Sequence, residues 1–251
     1  MGARHAAPLE GDALKIALHV GPDGRVLFFE CVESTQSLAL ERRRDGLVIL
    51  ADAQTAGRGC HGRTWHSAPG LGLWFSVVVE GPPAGLAWLG ALAVRDGVRT
   101  GRPAAALEVR WPNDLFLRGR KVSGVLVEHR DGWSALGIGI NVHHRPEDFS
   151  PELRDSAGSL EDLTGVPWDR AALLRRVLEA LDRRVARLRA EGIEGIRAEW
   201  ASACGVIGRT VRQEDIEGEA VALDEDGGLI VRAGAGLRRL TRGPIAFADG
   251  V

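Results

Sequence analysis

The sequence predicts an α+β fold in which helices pack on a mixed β-sheet, followed by a small C-terminal β-barrel. Three observations support this prediction. Strand-like and helix-like segments alternate only in the early part of the chain, which disfavours a regular doubly wound sheet. An amphipathic pattern over residues 168–190 predicts a long helix suited to packing on a sheet. From residue 205 onwards, short β-like segments separated by glycines and acidic residues are typical of a small barrel.

The first part of the chain supplies the predicted sheet and two helices. One helix begins at residues 33–36, where Ser and Thr are typical capping residues, and ends in three arginines at 42–44. The other has helical apolar spacing over 86–98. Proline beside asparagine and aspartate predicts a turn at 111–114. Apolar runs predict the strands of this part, at residues 25–29, 47–54, 73–79, 107–110, 121–127 and 133–142.

The second part begins with the long helix and continues with a short helix that ends near Trp200. The sequence pattern changes from helical apolar spacing to short β-like segments near residues 203–208, so we expect two domains, 1–204 and 205–251. Asp226 and the two glycines after it form a strong hairpin signal. Five short strands are predicted in this region, at residues 210–212, 219–223, 229–232, 236–240 and 245–247.

Composition excludes several classes of protein. The formal net charge of −2 disfavours nucleic-acid binding through bulk electrostatics. No helix-turn-helix module fits before residue 24, so no DNA partner is expected. The sequence lacks a membrane-length apolar run and a secretory signal, which predicts a soluble cytoplasmic protein. Three cysteines without a C-x-x-C pair support neither a disulfide framework nor a zinc site.

A glycine-rich loop at residues 57–65 reads G-R-G-C-H-G-R-T-W. Its first six letters match the dinucleotide-binding pattern G-x-G-x-x-G, which requires a helix to begin directly after the turn. Here no helical apolar period follows, and Pro69 stands where that helix would run. The dinucleotide interpretation therefore fails. A flexible loop carrying Arg58 and Arg63 is instead typical of a segment that closes over an anionic ligand.

Lysine is rare in this chain. Among 32 basic residues only Lys15 and Lys121 are lysines, an imbalance that codon bias largely explains. An ammonium group is a compact point charge that approaches a carboxylate or phosphate where a guanidinium fork does not fit. Lys121 follows the predicted turn at 111–114 and is therefore a candidate site residue, whereas Lys15 lies in a segment without pattern.

Three segments taken together resemble the biotin protein ligases. They are the glycine-rich loop with Gln54 ahead of it, R-W-P-N-D at 110–114 with Lys121 and Gly124 after it, and G-I-G-I-N-V at 137–142. The resemblance covers nearly the whole chain and implies a ligase-like mixed sheet followed by an SH3-like barrel. It also implies a two-step reaction. ATP activates biotin as biotinyl-5'-AMP, which is then transferred to a lysine of a biotin carboxyl carrier protein domain.

The resemblance also implies roles for particular residues. Lys121 and Arg58 are expected to be catalytic, and Mg²⁺ is expected to be held largely by phosphates, with Asp114 as its candidate carboxylate. The expected biotin contacts are Ser34, Thr35, Gln36, Gln54, Gly57, Arg58, Gly59, Cys60, Trp65, Lys121 and Gly124. The expected nucleotide contacts are Arg58, Arg63, Asn113, Asp114, Lys121 and Asn141. The pocket itself should be largely apolar, and Trp74 is a further candidate for its wall.

Simpler interpretations stand beside these. Ser34 and Thr35 are also typical of a helix N-cap, Asn113 and Asp114 of a turn, and glycines at 137 and 139 of close strand packing. Two rival functions remain: a lipoate or octanoate ligase of the same superfamily, and a non-catalytic biotin-binding regulator. A homodimer and carrier docking on exposed strand edges are both open.

The chain departs from the family pattern at several positions. Cys60 stands where a second arginine is usual, which removes a charge and five donors, so we expect a loop that holds the adenylate less tightly. Gln36 replaces the usual asparagine, so a shifted hydrogen bond to the biotin ring is expected. His143 and His144 are interpreted as lying on opposite faces of a strand, on the surface or beside the site, where they cannot share a metal.

Overall fold

The computed structural model describes residues 25–225, 227–243 and 245–248. Its larger sheet contains the strands β1 (Arg25–Val32), β2 (Leu47–Gln54), β3 (Gly72–Glu80), β4 (Glu108–Arg110), β5 (Asp114–Leu117), β6 (Arg120–Arg130) and β7 (Trp133–Asn141). The seven strands lie in the order β1-β2-β3-β7-β6-β5-β4. Strands β1 and β2 are parallel, and all other neighbours are antiparallel. The predicted mixed sheet is confirmed.

Helices cover both faces of this sheet. They are α1 (Thr35–Arg42), α2 (Leu86–Gly101), α3 (Leu160–Thr164), α4 (Arg170–Glu191) and α5 (Glu194–Cys204). Alternate residues of a strand point to opposite faces, and in β2 Val48 and Leu50 enter the main core while Leu47 and Ile49 enter a smaller one. Helix α1 closes the smaller core with Ala39, and α2, α4 and α5 close the main core. Strand β3 is consequently buried along its length up to Glu80.

The start of α4 is fixed to the sheet by polar contacts. The Asp169 carboxylate caps the helix by accepting a hydrogen bond from the backbone of Ala172 at 3.0 Å. The buried Arg170 guanidinium lies 2.8 Å from the Asp52 carboxylate on β2 and donates to the Gly72 carbonyl on β3 at 3.1 Å. A buried arginine is stable here because its charge is paired and its donors have acceptors.

The C-terminal region forms a second sheet. Its strands are β8 (Thr210–Gln213), β9 (Ile216–Leu223), β10 (Leu229–Ala233), β11 (Gly236–Leu240) and β12 (Ala246–Phe247). They are antiparallel, in the order β11-β10-β9-β8-β12. Within the described residues β11 and β12 do not pair, so the predicted closed SH3-like barrel is replaced by an open sheet. Strand β12 has only two residues, which offers few backbone groups for closing a barrel.

Most predicted elements are present, with two omissions. The sequence interpretation missed β5, which begins at the last residue of the predicted turn, and α3, which is only five residues long. Elements this short have too few residues to display a period.

No helix in the described part of the chain is long and apolar enough to cross a membrane.

Candidate functional site

A cavity of about 370 Å³ opens between the N-terminal end of α1, the glycine-rich loop and strands β3, β6 and β7. Most of the side chains predicted from the sequence line it. They are Ser34, Thr35, Gln36, Gln54, Arg58, Gly59, Cys60, Arg63, Trp65, Trp74, Asn113, Asp114, Lys121, Gly124 and Asn141. The exception is Gly57, the buried first residue of the glycine-rich loop, which does not line the cavity. A volume of this size and a mostly apolar wall with a few polar groups suit a small organic ligand.

Polar side chains at one end of the cavity form a connected network. The Gln54 side-chain carbonyl accepts hydrogen bonds from the Thr35 backbone at 2.8 Å and from the Thr35 hydroxyl at 3.2 Å. The Thr35 and Ser76 hydroxyls lie 2.9 Å apart, and Ser76 donates to Gln36 Oε1 at 2.8 Å. These bonds fix the positions of the side chains before any ligand binds.

Ser34 differs from its neighbours because its hydroxyl has no hydrogen-bond partner among the described residues. The residue is 3% exposed and occupies the N-cap position of α1, yet its side chain makes no cap hydrogen bond. The helix-cap interpretation therefore does not account for Ser34. A buried hydroxyl without a partner is costly, and a ligand polar atom in the cavity would supply one.

The side-chain amide of Gln36 makes hydrogen bonds within the protein. Its amide nitrogen donates to the Ala135 carbonyl at 3.0 Å and to the Leu126 carbonyl at 3.3 Å, and its oxygen accepts from Ser76. Both N–H groups are therefore used within the fold. An added Cβ at Gly137 would lie 2.5 Å from Gln36 Oε1, so glycine at this position makes room for the longer side chain.

The glycine-rich loop folds back on itself and does not open an α-helix. The Trp65 backbone donates to the Gly57 carbonyl at 2.8 Å, and the Gly59 backbone donates to the Arg63 carbonyl at 2.7 Å. A single 3₁₀ turn spans Cys60–Gly62, and the chain then enters β3. The rejection of the dinucleotide-binding interpretation is confirmed.

Cys60 connects this loop to the pocket wall. Its thiol lies 3.8 Å from the Val125 carbonyl, to which it donates, and Asn113 Nδ2 donates to the sulfur at 3.0 Å. Asn113 also donates to the Val125 carbonyl in a short contact. Cys60 therefore holds the loop against β6 and the turn before β5.

Trp65 crosses the middle of the cavity. Its indole packs on the backbones of Gly124 and Gly139, where an added Cβ would lie 2.9 and 2.5 Å from ring atoms. Within the described structure its buried Nε1 has no hydrogen-bond partner. The ring centroid lies 5.4 Å from Lys121 Nζ and 6.4 Å from the Trp74 ring. Glycine is therefore required on both strands for this aromatic side chain to separate the two ends of the pocket.

The other end of the cavity carries the charges. Lys121 Nζ lies 2.6 Å from the Asp114 carboxylate, so this end combines a cation with one carboxylate that lines the pocket, a composition suited to phosphate groups. Arg58 Nη2 lies 3.0 Å from Glu128, which pairs with Ala135 and is therefore at the Gln36 end of β6. Arg63 is exposed and its Nε donates to the Cys60 carbonyl at 3.2 Å.

Asn141 lies at the end of β7, and its amide donates to the Gly158 carbonyl at 3.0 Å.

One wall of the cavity escaped the sequence interpretation. It consists of Phe149, Leu153, Ser156 and Ala157. The Lys121 backbone donates to the Ser156 carbonyl at 2.8 Å, which holds this wall against β6. The segment has no motif and no period, so only the structure brings it to the site. Phe116, His66 and Ser76 were also missed.

The interpretation of the two histidines was wrong in part. Strand β7 ends at Asn141, so His143 and His144 follow the strand instead of alternating across it. His143 lies 2.8 Å from Glu161. His144 is 1% exposed and stacks on Phe149 behind the cavity wall, with a centroid distance of 4.9 Å. Burial, with a smaller contribution from His66, lowers the pKa of His144 to about 4.

The described residues contain no cluster of three or more histidine, cysteine, aspartate or glutamate side chains that would hold a metal ion.

Comparisons with known proteins agree with this geometry. Residues 28–144 match the biotin/lipoate A/B protein ligase family, and residues 205–247 match the biotin protein ligase C terminal domain. The chain is 32% identical to the bifunctional ligase/repressor BirA of Bacillus subtilis, over 86% of this chain and 71% of that protein. It is 35% identical to the biotin--[acetyl-CoA-carboxylase] ligase of Mycobacterium tuberculosis, over 76% of this chain and 74% of that protein.

A solved structure, the biotin protein ligase from Aquifex aeolicus in complex with biotin and ATP, superposes with a TM-score of 0.76 at 29% identity. The superposition covers 88% of this chain and 97% of the other.

Proposed function

Because this chain belongs to the biotin/lipoate A/B protein ligase family, we propose that it joins biotin to a lysine of a biotin carboxyl carrier protein domain. The protein is an ATP-dependent biotin ligase, with biotin and ATP as its substrates. The carrier domain as acceptor, the roles of individual residues and the division into a catalytic domain, 1–204, and a C-terminal domain, 205–251, are parts of the proposal.

The proposed reaction has two steps. A biotin carboxylate oxygen attacks the α-phosphorus of ATP, and pyrophosphate leaves with the electrons of the broken P–O bond. The neutral amine of the carrier lysine then attacks the acyl carbon, an amide forms, and AMP leaves as the amine loses a proton. The first step brings two anions together, so the site must neutralise charge before it can catalyse the reaction.

The observation that carries this proposal is the polarity of the cavity. One end has the unpartnered Ser34 hydroxyl beside the Thr35–Gln54 pair, and the other has Lys121 and Asp114. We assign the first end to the ureido ring of biotin, which offers both hydrogen-bond donors and an acceptor. The charged end receives the carboxylate and the phosphates. A dithiolane ring carries no such donors, so this end disfavours lipoate.

We assign Lys121 and Arg58 to neutralisation of the reacting carboxylate and α-phosphate. Arg63, Asn113 and Asn141 then face the nucleotide, and Trp65 lies between the two substrates. Gly59, Cys60 and Gly124 are the loop and strand positions that approach biotin most closely in this assignment. Gln36 lines the cavity while its N–H groups donate within the protein, and Gly57 lies outside the lining, so we assign both a role in shaping the site.

Asp114 is the residue of this site that suits a magnesium ion. Mg²⁺ commonly binds through one or two carboxylates together with substrate phosphates. Asp114 is a carboxylate that lines the cavity, so it would hold the ion once the phosphates supply the remaining ligands. When bound, Mg²⁺ would neutralise phosphate charge beside Lys121.

We also propose a cellular location and a partner-binding surface for the enzyme. ATP as a substrate favours the cytoplasm. The outer edges of β1 and β4 end the larger sheet, and either offers a surface on which a second copy or the carrier domain would pair.

The proposal is tested by pyrophosphate release and by transfer of biotin to a carrier domain. Both are expected to require ATP and biotin together, and lipoate in place of biotin is expected to support neither. Replacement of Lys121 by alanine should reduce pyrophosphate release by at least about a hundredfold, because it removes a cation that stabilises the transition state. Lys121→Arg keeps the charge but not the geometry and should retain part of the activity.

Biotin binding without pyrophosphate release by the wild type would instead identify a non-catalytic regulator. Wild-type rates in the Lys121→Ala variant would refute the catalytic assignment of that lysine.

A further inference from the structure

Trp111 lies where the C-terminal sheet meets the turn between β4 and β5. The side chain is 3% exposed, and its indole Nε1 donates to the Gly227 carbonyl at 2.9 Å. Gly227 belongs to the connection between β9 and β10 of the second sheet. One hydrogen bond therefore joins the C-terminal sheet to a residue of the larger domain.

The Gly227 connection is shaped for this contact. Gly227 has φ +86°, a conformation that side chains other than glycine rarely adopt. An added Cβ would also lie 2.5 Å from the Trp88 ring. The positive φ and the contact with Trp88 both require glycine, and they fix the position of the carbonyl that accepts the hydrogen bond from Trp111.

Two further contacts hold the same turn. An added Cβ at Gly243 would lie 2.8 Å from Pro112 Cδ, so the second sheet touches the residue after Trp111. Cys204, the last residue of α5, lies behind the turn. Burial raises the pKa of its thiol to about 12, although hydrogen bonds from the backbones of Trp111 and Val206 act in the opposite direction. The thiol is therefore neutral and serves as packing.

The turn continues directly into the charged end of the cavity. Asn113 donates to the Cys60 sulfur, and Asp114 pairs with Lys121. A displacement of Trp111 would be transmitted through two peptide bonds to Asn113 and through three to Asp114. The polar end of the cavity is built from α1 and β2, with Ser34, Thr35 and Gln54, so it does not depend on this turn.

We propose that Trp111 is a positioning residue, through which the C-terminal sheet fixes Asn113 and Asp114 at the nucleotide end of the site. The inference rests on the proposed function, because it takes the nucleotide end from that assignment. By this proposal the C-terminal sheet contributes to the first step of the reaction, in which biotin reacts with ATP.

The matched test compares two tryptophans. Trp111→Phe removes the N–H that reaches Gly227. Trp200→Phe makes the same chemical change at a fully buried indole whose Nε1 has no partner in the described chain, so it loses packing without losing a hydrogen bond. We expect Trp111→Phe to lower kcat/KM for ATP by about fivefold or more relative to Trp200→Phe, since the Gly227 carbonyl also loses its donor. Biotin affinity, measured by calorimetry, is expected to be unchanged in both variants.

Equal ATP parameters in the two variants would overturn the proposal. A parallel loss of biotin affinity in Trp111→Phe would overturn it as well, since the effect would then be general to the fold. If Trp111→Phe does not fold, Gly243→Ala disturbs the same turn from the side of the second sheet, and the same selective loss for ATP is expected.

Wild-type behaviour separates this inference from the proposed function. Absence of pyrophosphate release by the wild type, with ATP and biotin present, would refute the proposed function itself. ATP affinity measured by calorimetry in the wild type and both variants would then decide the positioning role independently: a selective loss in Trp111→Phe supports it, and equal affinities refute it.

Discussion

Cys60 holds the glycine-rich loop against the wall of the cavity. Its sulfur contacts Asn113 and Val125, and both contacts are uncharged. An arginine at this position would bring a guanidinium to a pocket that receives phosphate. Charge-assisted hydrogen bonds to an anion are about twice as strong as neutral ones. The cysteine is therefore expected to hold the loop on the cavity wall while adding little attraction to the adenylate.

Cys60→Arg is expected to slow the release of biotinyl-adenylate by about fivefold, because one charged hydrogen bond is gained. Release is measured by mixing the preformed enzyme–adenylate complex with excess unlabelled ligand and following bound label. Cys60→Ser is the control, since it preserves size and adds no charge. Release from Cys60→Arg that is no slower than from Cys60→Ser would contradict this account of the loop.

At the scale of residues, the sequence identified the polar and charged lining of the cavity because those side chains lie in short local motifs. It did not identify the hydrogen bonds that hold each side chain in place. Gln36 lines the cavity, and its N–H groups donate to the carbonyls of Ala135 and Leu126, which are 99 and 90 positions away. Contacts over such separations depend on tertiary packing and leave no local pattern.

The glycine-rich loop depends on its glycines for different reasons. An added Cβ at Gly57 would lie 2.4 Å from the Trp65 carbonyl and 2.8 Å from Ser67 Oγ, so it would break the contact that places Trp65. Gly62 has φ +72° but open space around it, so alanine there would add only backbone strain of about 1 kcal/mol. The two positions form a matched pair within one element.

Gly57→Ala is expected to lower kcat/KM for biotin by at least about tenfold, because a misplacement of about 1 Å at a site is costly. Gly62→Ala should remain within about threefold of the wild type, since its strain falls on the exposed tip of the loop. Steady-state kinetics with biotin as the varied substrate measure both. If the two variants lose activity equally, flexibility of the loop and not the Gly57–Trp65 contact is the important property.

At the scale of elements, the accuracy of the prediction depended on the length and periodicity of each helix or strand. Long elements such as α4 and β7 were predicted within a few residues of their ends. Strand β5 and helix α3 were missed because they have four and five residues. The wall at residues 149–157 was missed for another reason. It is a loop whose position comes from pairing with the Lys121 backbone and from stacking on His144, and neither contact is local.

At the scale of the whole molecule, the fold class and the order of the two sheets follow from the sequence because strand-like segments precede the long amphipathic helix and short β-like segments follow it. Barrel closure could not be predicted in the same way. Closure depends on whether β11 meets β12, and in the described residues β12 pairs only with β8. The docking of the second sheet through Trp111 and Gly227 was also absent from the sequence interpretation, since the two residues lie 116 positions apart.

His144 connects the stability of the whole molecule to pH. It is buried between Phe149, Trp74 and His66, with Asp148 and His143 as its other charged or titratable neighbours. Within the described structure both ring nitrogens lack hydrogen-bond partners. Its pKa is lowered from 6.5 to about 4, chiefly by burial. The folded state therefore keeps the ring neutral over a range of pH in which the unfolded chain binds a proton.

The sign of the effect follows from proton linkage. Stability is lost as pH falls below about 6.5, because the unfolded state then binds more protons, and this loss ends near pH 4, where the folded state also protonates. A shift of this size corresponds to about 3 kcal/mol. In His144→Phe, which keeps a planar ring against Phe149, this contribution should disappear. Denaturant unfolding of both proteins between pH 7 and 4 measures it as the change in their stability difference. A difference that stays constant with pH would mean that His144 is already protonated or hydrogen-bonded in the folded protein.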